Sequence, residues 1–390
     1  MSNPEYDIIV YGASGYTGRL VAEYLHHQYG NGEDLRWAIA GRSEAKLAMV
    51  RDEIGLPADT PMVIADADRV QDIEAMVKNT KVIITAVGPY QLYGEALVKA
   101  CAEHGTDYTD LCGEPGWMYE MIEKYEGIAK KSGARIVFSC GFDSIPFDLG
   151  VLHLQNHARK TLGKSISRIK GRVRQMKGTF SGGTAASLGA TMMAAAKDPS
   201  LLERLKDPFA LSGGFVGPGQ PKGTKPYLDP ALDMWVAPFI MAAINVKNIH
   251  RSNALMNHAY GDDFTYDEMM VTGPGSKGEE IANHLAADRT GGMKGDLKPG
   301  DGPSKEERET GFYDVLFVGE VSDEVVIKTS VYGDKDPGYG STSKMLSESA
   351  ICLIKDCANG PGGIYTPAPV MGEALIDRLQ KNAGLTFKVE

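Results

Sequence analysis

The sequence is poor in cysteine. Cys101, Cys112, Cys140, Cys352 and Cys357 are odd in number, and no two are separated by only two residues. A disulfide framework and a zinc ribbon are therefore not expected. Long apolar runs are absent as well. The longest, Met234 to Val246, has 13 residues and contains Pro238, too short to cross a bilayer. No block of Lys and Arg occurs, and 41 Lys plus Arg against 51 Asp plus Glu leave a formal charge of −10. Phosphate neutralisation needs clustered cations, so a nucleic-acid partner is not expected, although a small substrate that carries phosphate is compatible. The opening MSNPEYDIIVYG lacks a basic segment followed by a long apolar core, so no secretory leader is expected and the chain is placed in the cytosol.

What is present is a globular profile. The chain has 390 residues, 43% of them hydrophobic, and at roughly 100–200 residues per domain it should form two to three domains. Its 46 glycines are about 12% of the residues against a usual level of about 7%, without a collagen period, so tight turns are needed repeatedly. Short apolar runs at Tyr6 to Tyr11, Trp37 to Ala40, Met62 to Ala65, Val82 to Val87 and Arg135 to Ser139 alternate with helical patterns such as Arg19 to Tyr29. Strands apolar throughout, alternating with helices, predict a parallel sheet covered on both faces. Residues 1 to about 145 are thus read as a doubly wound α/β domain. Beyond it, Ser167 to Met176 reads as a strand and Asp207 to Pro238 as a proline-rich tract. Gly291 to Gly311 should be a mobile surface loop. Phe312 to Val321 and Glu324 to Tyr332, joined by Ser322-Asp323, form a predicted hairpin, and Ser343 to Lys355 a helix.

Gly12-Ala13-Ser14-Gly15-Tyr16-Thr17-Gly18 follows the first strand and opens the first helix. Glycines there permit the tight turn and let backbone N–H groups approach a pyrophosphate at a helix N-terminus. The spacing is GxxGxxG rather than GxGxxG, and a purely structural turn is the alternative. The second strand ends Ala40-Gly41-Arg42-Ser43, where NAD enzymes usually carry Asp or Glu. A carboxylate would repel a 2′-phosphate, whereas Arg42 and Ser43 can bind one, so NADP(H) is the expected cofactor; a surface turn cap is the other account of Arg42. Asp66 is placed near the adenine, and Gly88 and Pro89 beside the nicotinamide ribose.

None of the 17 tyrosines is followed four residues later by Lys, and there is no HExxH. The usual Tyr–Lys reductase pair is thereby excluded, and His153 with His157 reads as a packing pair. Polar groups at strand C-termini remain: Tyr90 and Tyr93, then Asp110, Cys112 and Glu114, then Asp143-Ser144. Any of them could face the nicotinamide, or could serve as caps and turns. Cys112 is counted as a cofactor contact and not as a nucleophile, because no basic neighbour in sequence would lower its pKa. Ser181 and Thr184 open a small-residue helix, Ala185 to Ala196, and could bind a carbonyl or carboxylate oxygen or merely cap the helix.

YGASGYTGRLVAEYL, WAIAGRSEAKL, TAVGPYQLYGEALVKACAEHGTDYTDLCGE and GFDSIPFDLG together resemble the saccharopine dehydrogenase-like oxidoreductases. FSGGTAAS, PFIMAAINVKNIHRSNAL, LKPGDGPSKEERETGFY and GYGSTSKMLSESAICL look most like their trans-acting enoyl reductase branch. The resemblance spans nearly the whole chain. It implies an NADPH-binding Rossmann domain over 1–145, an α+β mixed-sheet substrate domain over 146–340, and a C-terminal helical segment, 341–390, packing back on the first domain. Gly12, Gly15 and Gly18 match the family's phosphate loop, and Arg42 its adenosine phosphate contact. The implied substrate is an α,β-unsaturated polyketide or fatty acyl thioester, reduced for a synthase without its own reductase and presented by a carrier protein. Tyr90 or Tyr93 is then the candidate proton donor, and Ser181 and Thr184 the oxygen ligands. A homodimer is expected, in the cytoplasm, with room for a peripheral lipid contact. Two alternatives stand beside this. One is a saccharopine-type amino acid dehydrogenase, with Arg172 and Arg174 as cations for an amino dicarboxylic acid. The other is a non-catalytic NADPH-binding protein docking Met234 to Val246 on a lipid surface.

Overall fold

The computed structural model describes residues 4–179, 187, 189–191, 193–194, 198–288 and 301–390. The apolar runs near the N-terminus become β1 (Tyr6–Tyr11), β2 (Trp37–Gly41), β3 (Met62–Ile64), β4 (Thr80–Thr85), β5 (Asp107–Thr109) and β6 (Arg135–Val137). Helices α1 (Tyr16–Tyr29), α2 (Glu44–Glu53), α3 (Val70–Lys78), α4 (Tyr90–Tyr93), α5 (Glu95–His104) and α6 (Pro115–Ser132) connect them. Ile8, Ile9 and Val10 are fully buried, as a strand covered by helices on both faces requires. The helix α7 (Ile145–Leu162) leaves this layer and packs against the second sheet. It lies close because residue 150 is glycine: a Cβ there would run into the Phe317 ring.

The second sheet is built from β7 (Arg168–Lys177), β8 (Tyr227–Asp229), β9 (Met234–Pro238), β10 (Thr265–Gly273), β11 (Phe312–Val321) and β12 (Glu324–Gly333). The expected hairpin is present: β11 and β12 are antiparallel, and Ser322 and Asp323 both have positive φ, 51° and 63°, the geometry of a two-residue hairpin turn. The last two strands, β13 (Gly363–Tyr365) and β14 (Leu385–Val389), go to different sheets. The first sheet has the order β13-β6-β5-β4-β1-β2-β3 and is parallel throughout; the second runs β14-β12-β11-β7-β10-β9-β8 and is mixed. Residues 341–390 therefore include a strand of each sheet as well as the helices Thr342–Lys355 and Pro367–Asn382. Short edge strands such as GIY at β13 carry too few residues for a periodic signal, which is why helix alone was expected there.

Other expectations change in detail. The apolar stretch Met234 to Val246 divides into β9 and the start of the helix Ala242–Leu255. Val236, Ala237, Phe239 and Ile244 are buried, and only Met234 and Ile240, each 38% exposed, are the large side chains left open. The expected loop Gly291 to Gly311 lies partly outside the described residues. Its described end holds a helix, Lys305–Thr310, with a capping box between Ser304 and Glu307, a device that satisfies two otherwise orphaned N–H groups.

On one face of β7, successive even-numbered residues are cations, and neighbouring strands meet each with acids. Arg168 pairs with Asp267, Lys170 with Glu320 at 2.7 Å, and Arg172 with Asp229 at 2.7 Å and Asp267 at 3.0 Å. Arg174 pairs with Asp314 at 2.8 Å and Glu390 at 2.6 Å. Both arginines considered for an amino dicarboxylic acid are thus already neutralised within the sheet.

Candidate active site at the strand C-termini

In an open parallel sheet, ligands bind beyond the carboxyl ends of the strands, where the order reverses. Here β1 is the reversal point, with β2 on one side and β4 on the other. The loop after β1 opens with Gly12 at φ 86°, where a Cβ would meet Val87 Cγ2 at 2.7 Å. Gly15 N donates to the Gly12 carbonyl at 2.9 Å, and a Cβ on Gly18 would collide with that carbonyl. Gly15 caps α1 without a side-chain hydrogen bond, and the first turn holds no acid. The N–H groups of this turn and the exposed Ser14 form a backbone cradle that fits a pyrophosphate.

Tyr16 and Thr17 were both expected at the cofactor. Thr17 stays half-buried beside the turn, but the Tyr16 side chain turns away. Its hydroxyl donates to the Pro303 carbonyl and accepts from Arg308 Nη1 at 2.8 Å, while its ring meets Tyr339 edge-on at 5.1 Å. Only its backbone is left for the cradle. Nothing local in the sequence announces this contact across nearly 300 positions.

After β2, Arg42 is exposed and has no ion-pair partner among the described residues. Ser43 caps α2 by accepting from Lys46 N at 3.4 Å, which leaves its hydroxyl proton free. Asp66 accepts from Asp68 N at 3.2 Å in the turn after β3. Arg42 and Asp66 both flank Tyr11, whose phenol is pushed up to about 12 by burial and then by Asp66.

The loops after β4, β5 and β6 lie on the other side of the reversal point from Arg42. Glu114, 3% exposed, accepts from Tyr90 N at 3.0 Å, Gln91 N at 2.8 Å and Ser187 Oγ at 2.8 Å. It therefore holds the Gly88-Pro89-Tyr90 turn at the start of α4. Gly88 is exposed, and a Cβ on it would stand 3.8 Å from Ser187 Oγ. Asp110, fully buried, accepts from Cys112 N at 3.0 Å, Ser139 N at 2.8 Å and Tyr108 Oη at 2.8 Å, tying the β5 loop to the β6 loop. Burial pushes its carboxyl up to about 7. Asp143 stands across from Gly113, with Oδ2 3.9 Å from where a Cβ would be.

Two candidates are corrected here. Tyr90 is buried against Trp117, its hydroxyl donating to the Thr85 carbonyl at 3.2 Å and accepting from Leu111 N at 3.3 Å. Burial raises its phenol well above the ordinary range, so its proton serves the fold. Cys112 is fully buried, and its sulfur accepts from Glu114 N at 3.4 Å. Burial, then Asp110 and Glu114, push the thiol well up, and with the side chain sealed only the backbone of Cys112 is left to meet a cofactor. Tyr93 is 43% exposed on α4. Ser181 and Thr184 lie outside the described residues. His153 packs edge-on against Phe387 and is depressed by burial, as a packing residue would be. Ser187 was missed, because nothing in a run of small residues marks which hydroxyl meets Glu114.

Residues 8–137 match the family model described as the saccharopine dehydrogenase NADP binding domain. A Mycobacterium tuberculosis protein provisionally named a trans-acting enoyl reductase is 38% identical over 96% of this chain and 95% of its own. The trans-acting enoyl reductase of Mycobacterium ulcerans is 35% identical over 96% of each chain. Among solved structures, the saccharopine dehydrogenase (L-Glu forming) of Saccharomyces cerevisiae superimposes over 99% of both chains with a TM-score of 0.58 at 11% identity. That is a likeness of fold.

Proposed function

The chain belongs to the trans-acting enoyl reductases within the saccharopine dehydrogenase-like oxidoreductases and is an NADP-dependent oxidoreductase; on that premise we propose that it reduces an α,β-unsaturated acyl thioester presented by a carrier protein. The observation that carries this choice is the charge of the rim. Gly88, Ser187, Glu114, Gly113 and Asp143 adjoin one another, and no cation stands among these residues, so an acyl chain is accommodated better than an amino dicarboxylate. The arginines such a substrate would need, Arg172 and Arg174, already hold four carboxylates between them. Buried Val236, Ala237, Phe239 and Ile244 likewise weigh against a lipid-docking face.

NADPH, when bound, supplies the hydride for the β-carbon. The chain's own residues do the rest. The Gly12, Gly15 and Gly18 cradle holds the pyrophosphate, and Glu114 fixes the turn beside the nicotinamide. The hydroxyls of Ser181 and Thr184, just ahead of Ser187 in sequence, are assigned to the thioester oxygen, where charge develops during reduction.

Steady NADPH oxidation with enoyl thioesters, and none with 2-oxoacid and amine pairs, is the expected result. The reverse pattern would overturn the assignment. Arg42 gives a second expectation. A charge-assisted contact is worth about 1.5–3 kcal/mol, so Arg42→Ala should weaken NADPH about 10- to 100-fold and leave NADH within about twofold. Equal losses for the two cofactors, measured by fluorescence titration, would return Arg42 to a surface cap.

A further inference from the structure

Saturating a carbon–carbon double bond takes a proton as well as a hydride, and the acids beside the nicotinamide turn differ sharply in what they have to give. Asp110 accepts three hydrogen bonds and is fully buried. Glu114 also accepts three. Asp148, one turn into α7, accepts from Ser252 Oγ at 2.6 Å and Ala368 N at 2.8 Å. The Tyr90 proton is committed to Thr85, the Tyr108 proton to Asp110 and the Ser187 proton to Glu114.

Asp143 is different. It has no hydrogen-bond or ion-pair partner among the described residues; protein surrounds it closely enough to desolvate it, yet part of its surface stays accessible. Its Oδ2 points across at Gly113, where the missing side chain leaves the approach open. Gly113 precedes Glu114, which holds Ser187 and the Tyr90 turn. Asp143 thus stands at the end of an unbroken rim running from Gly88.

We propose that Asp143 is the acid that delivers the proton to the substrate's α-carbon, an inference that rests on the enoyl reductase reading. Once the β-carbon has received the hydride, the π pair moves toward the thioester and leaves an enolate. The α-carbon then forms its new C–H bond as the Asp143 O–H bond breaks. The electron pair of that bond stays on the carboxylate, which regains a proton from bulk solvent to close the cycle.

The environment suits that work. Burial alone lifts the Asp143 carboxyl from 3.8 to about 6, toward the range in which a general acid operates at neutral pH. The titratable groups on the neighbouring segments are Asp110, Cys112 and Glu114 on the β5 loop, Cys140 on the β6 loop, Asp148 on α7, and Lys344 on the Thr342–Lys355 helix, whose Thr342 meets Gly141; none of them contributes to the Asp143 shift. The carboxylates among them are held by their own hydrogen bonds, Cys112 accepts from Glu114 N, and Lys344 answers to Asp334 and Lys335.

The test is Asp143→Asn, beside Asp143→Glu and Tyr93→Phe, in three measurements. Turnover of an enoyl thioester should fall about 10²–10⁴-fold in Asp143→Asn, recover in part in Asp143→Glu, and survive in Tyr93→Phe, with NADPH affinity unchanged throughout. In D₂O the wild type should place deuterium on one face of the α-carbon. The residual activity of Asp143→Asn should place it on both, because bulk water then supplies the proton.

The third measurement needs no substrate. A carboxyl whose folded pKa lies above its unfolded value opposes folding when charged. Asp143→Asn should therefore melt higher than wild type at pH 7–8, the gap closing as pH falls through about 6. Retained turnover with single-face deuterium, loss of turnover in Tyr93→Phe instead, or a lower melting temperature in Asp143→Asn at neutral pH would each overturn the assignment and leave the enoyl reductase reading standing. Wild-type protein that oxidises NADPH only with 2-oxoacid and amine pairs would overturn both.

Discussion

Gly18→Ala should abolish useful NADPH binding and destabilise the first domain together. A Cβ at residue 18 would occupy the space of the Gly12 carbonyl, with Ala13 Cα only 2.8 Å away. These are backbone atoms, so no rotamer change can relieve the clash. Alanine would favour the helix by up to about 1 kcal/mol, but overpacking of this kind costs about 1–3 kcal/mol or more, and the clash prevails. Relief must come from moving the loop off the helix start, which separates the N–H groups that would converge on one pyrophosphate. Each charge-assisted bond lost is worth about 1.5–3 kcal/mol, so an affinity loss of at least about 100-fold is expected. Gly15→Ala separates the two effects. Its nearest obstacle is the Gly12 carbonyl at 3.3 Å, and its φ is −87°, so the fold should survive while the methyl group stands in the cofactor's approach. A thermal melt and a fluorescence titration on both variants check this. Wild-type values for Gly18→Ala would mean that the loop is not the tight turn described.

The second large effect belongs to Arg172→Ala. The Arg172 side chain has no exposed surface; Nε donates to Asp229 Oδ2 at 2.7 Å, Nη2 to the Tyr227 hydroxyl at 2.7 Å and Nη1 to the Gly171 carbonyl at 2.8 Å. Breaking one partner out of a buried ion pair typically costs about 3–5 kcal/mol, because the charge left behind is uncompensated. Here Asp229 loses its nearest counter-charge and Asp267 one of its two, Arg168 remaining. Burial alone would raise Asp229, yet Arg172 and Lys170 hold it below the usual carboxylate range. Its contribution to stability is accordingly present above the ordinary Asp pKa and lost as pH falls through the depressed folded value. A fall in the urea midpoint equivalent to about 3–5 kcal/mol is expected near pH 7, shrinking in acid. Loss of less than about 1 kcal/mol would mean that water reaches the network.

Much of the first sheet was legible in the sequence because each strand is an apolar run ended by a turn residue. IIVY before Gly12 and WAIA before Gly41 leave little choice of structure. The glycine turn after β1 and the place of Arg42 after β2 could be located for the same reason, because position after a strand is supplied by the local pattern. The proton chemistry could not be. Tyr90 and Asp143 both follow strands and both carry a proton, and no local pattern distinguishes them. What separates them is tertiary: the Thr85 carbonyl and Leu111 amide take up the Tyr90 hydroxyl, while Asp143 meets a glycine. Arg172 and Arg174 were equally ambiguous. A cation on alternate strand positions reads as a binding group or as half of an ion pair, and the acids that decide the matter come from β8, β10, β11 and the C-terminal Glu390, 57 to 216 residues away.

β13 and β14 have a consequence for biosynthesis. Both sheets recruit a strand from beyond residue 362, β13 beside β6 and β14 beside β12. A ribosome adding about 5–20 residues per second will therefore have made twelve of the fourteen strands found among the described residues while β6 and β12 still present bare edges. Such edges are templates for pairing with another chain, so a nascent chain stalled before residue 363 is the form of this protein most exposed to aggregation. Those final strands work as end-caps, and both sheets receive them only after their other described strands have been synthesised.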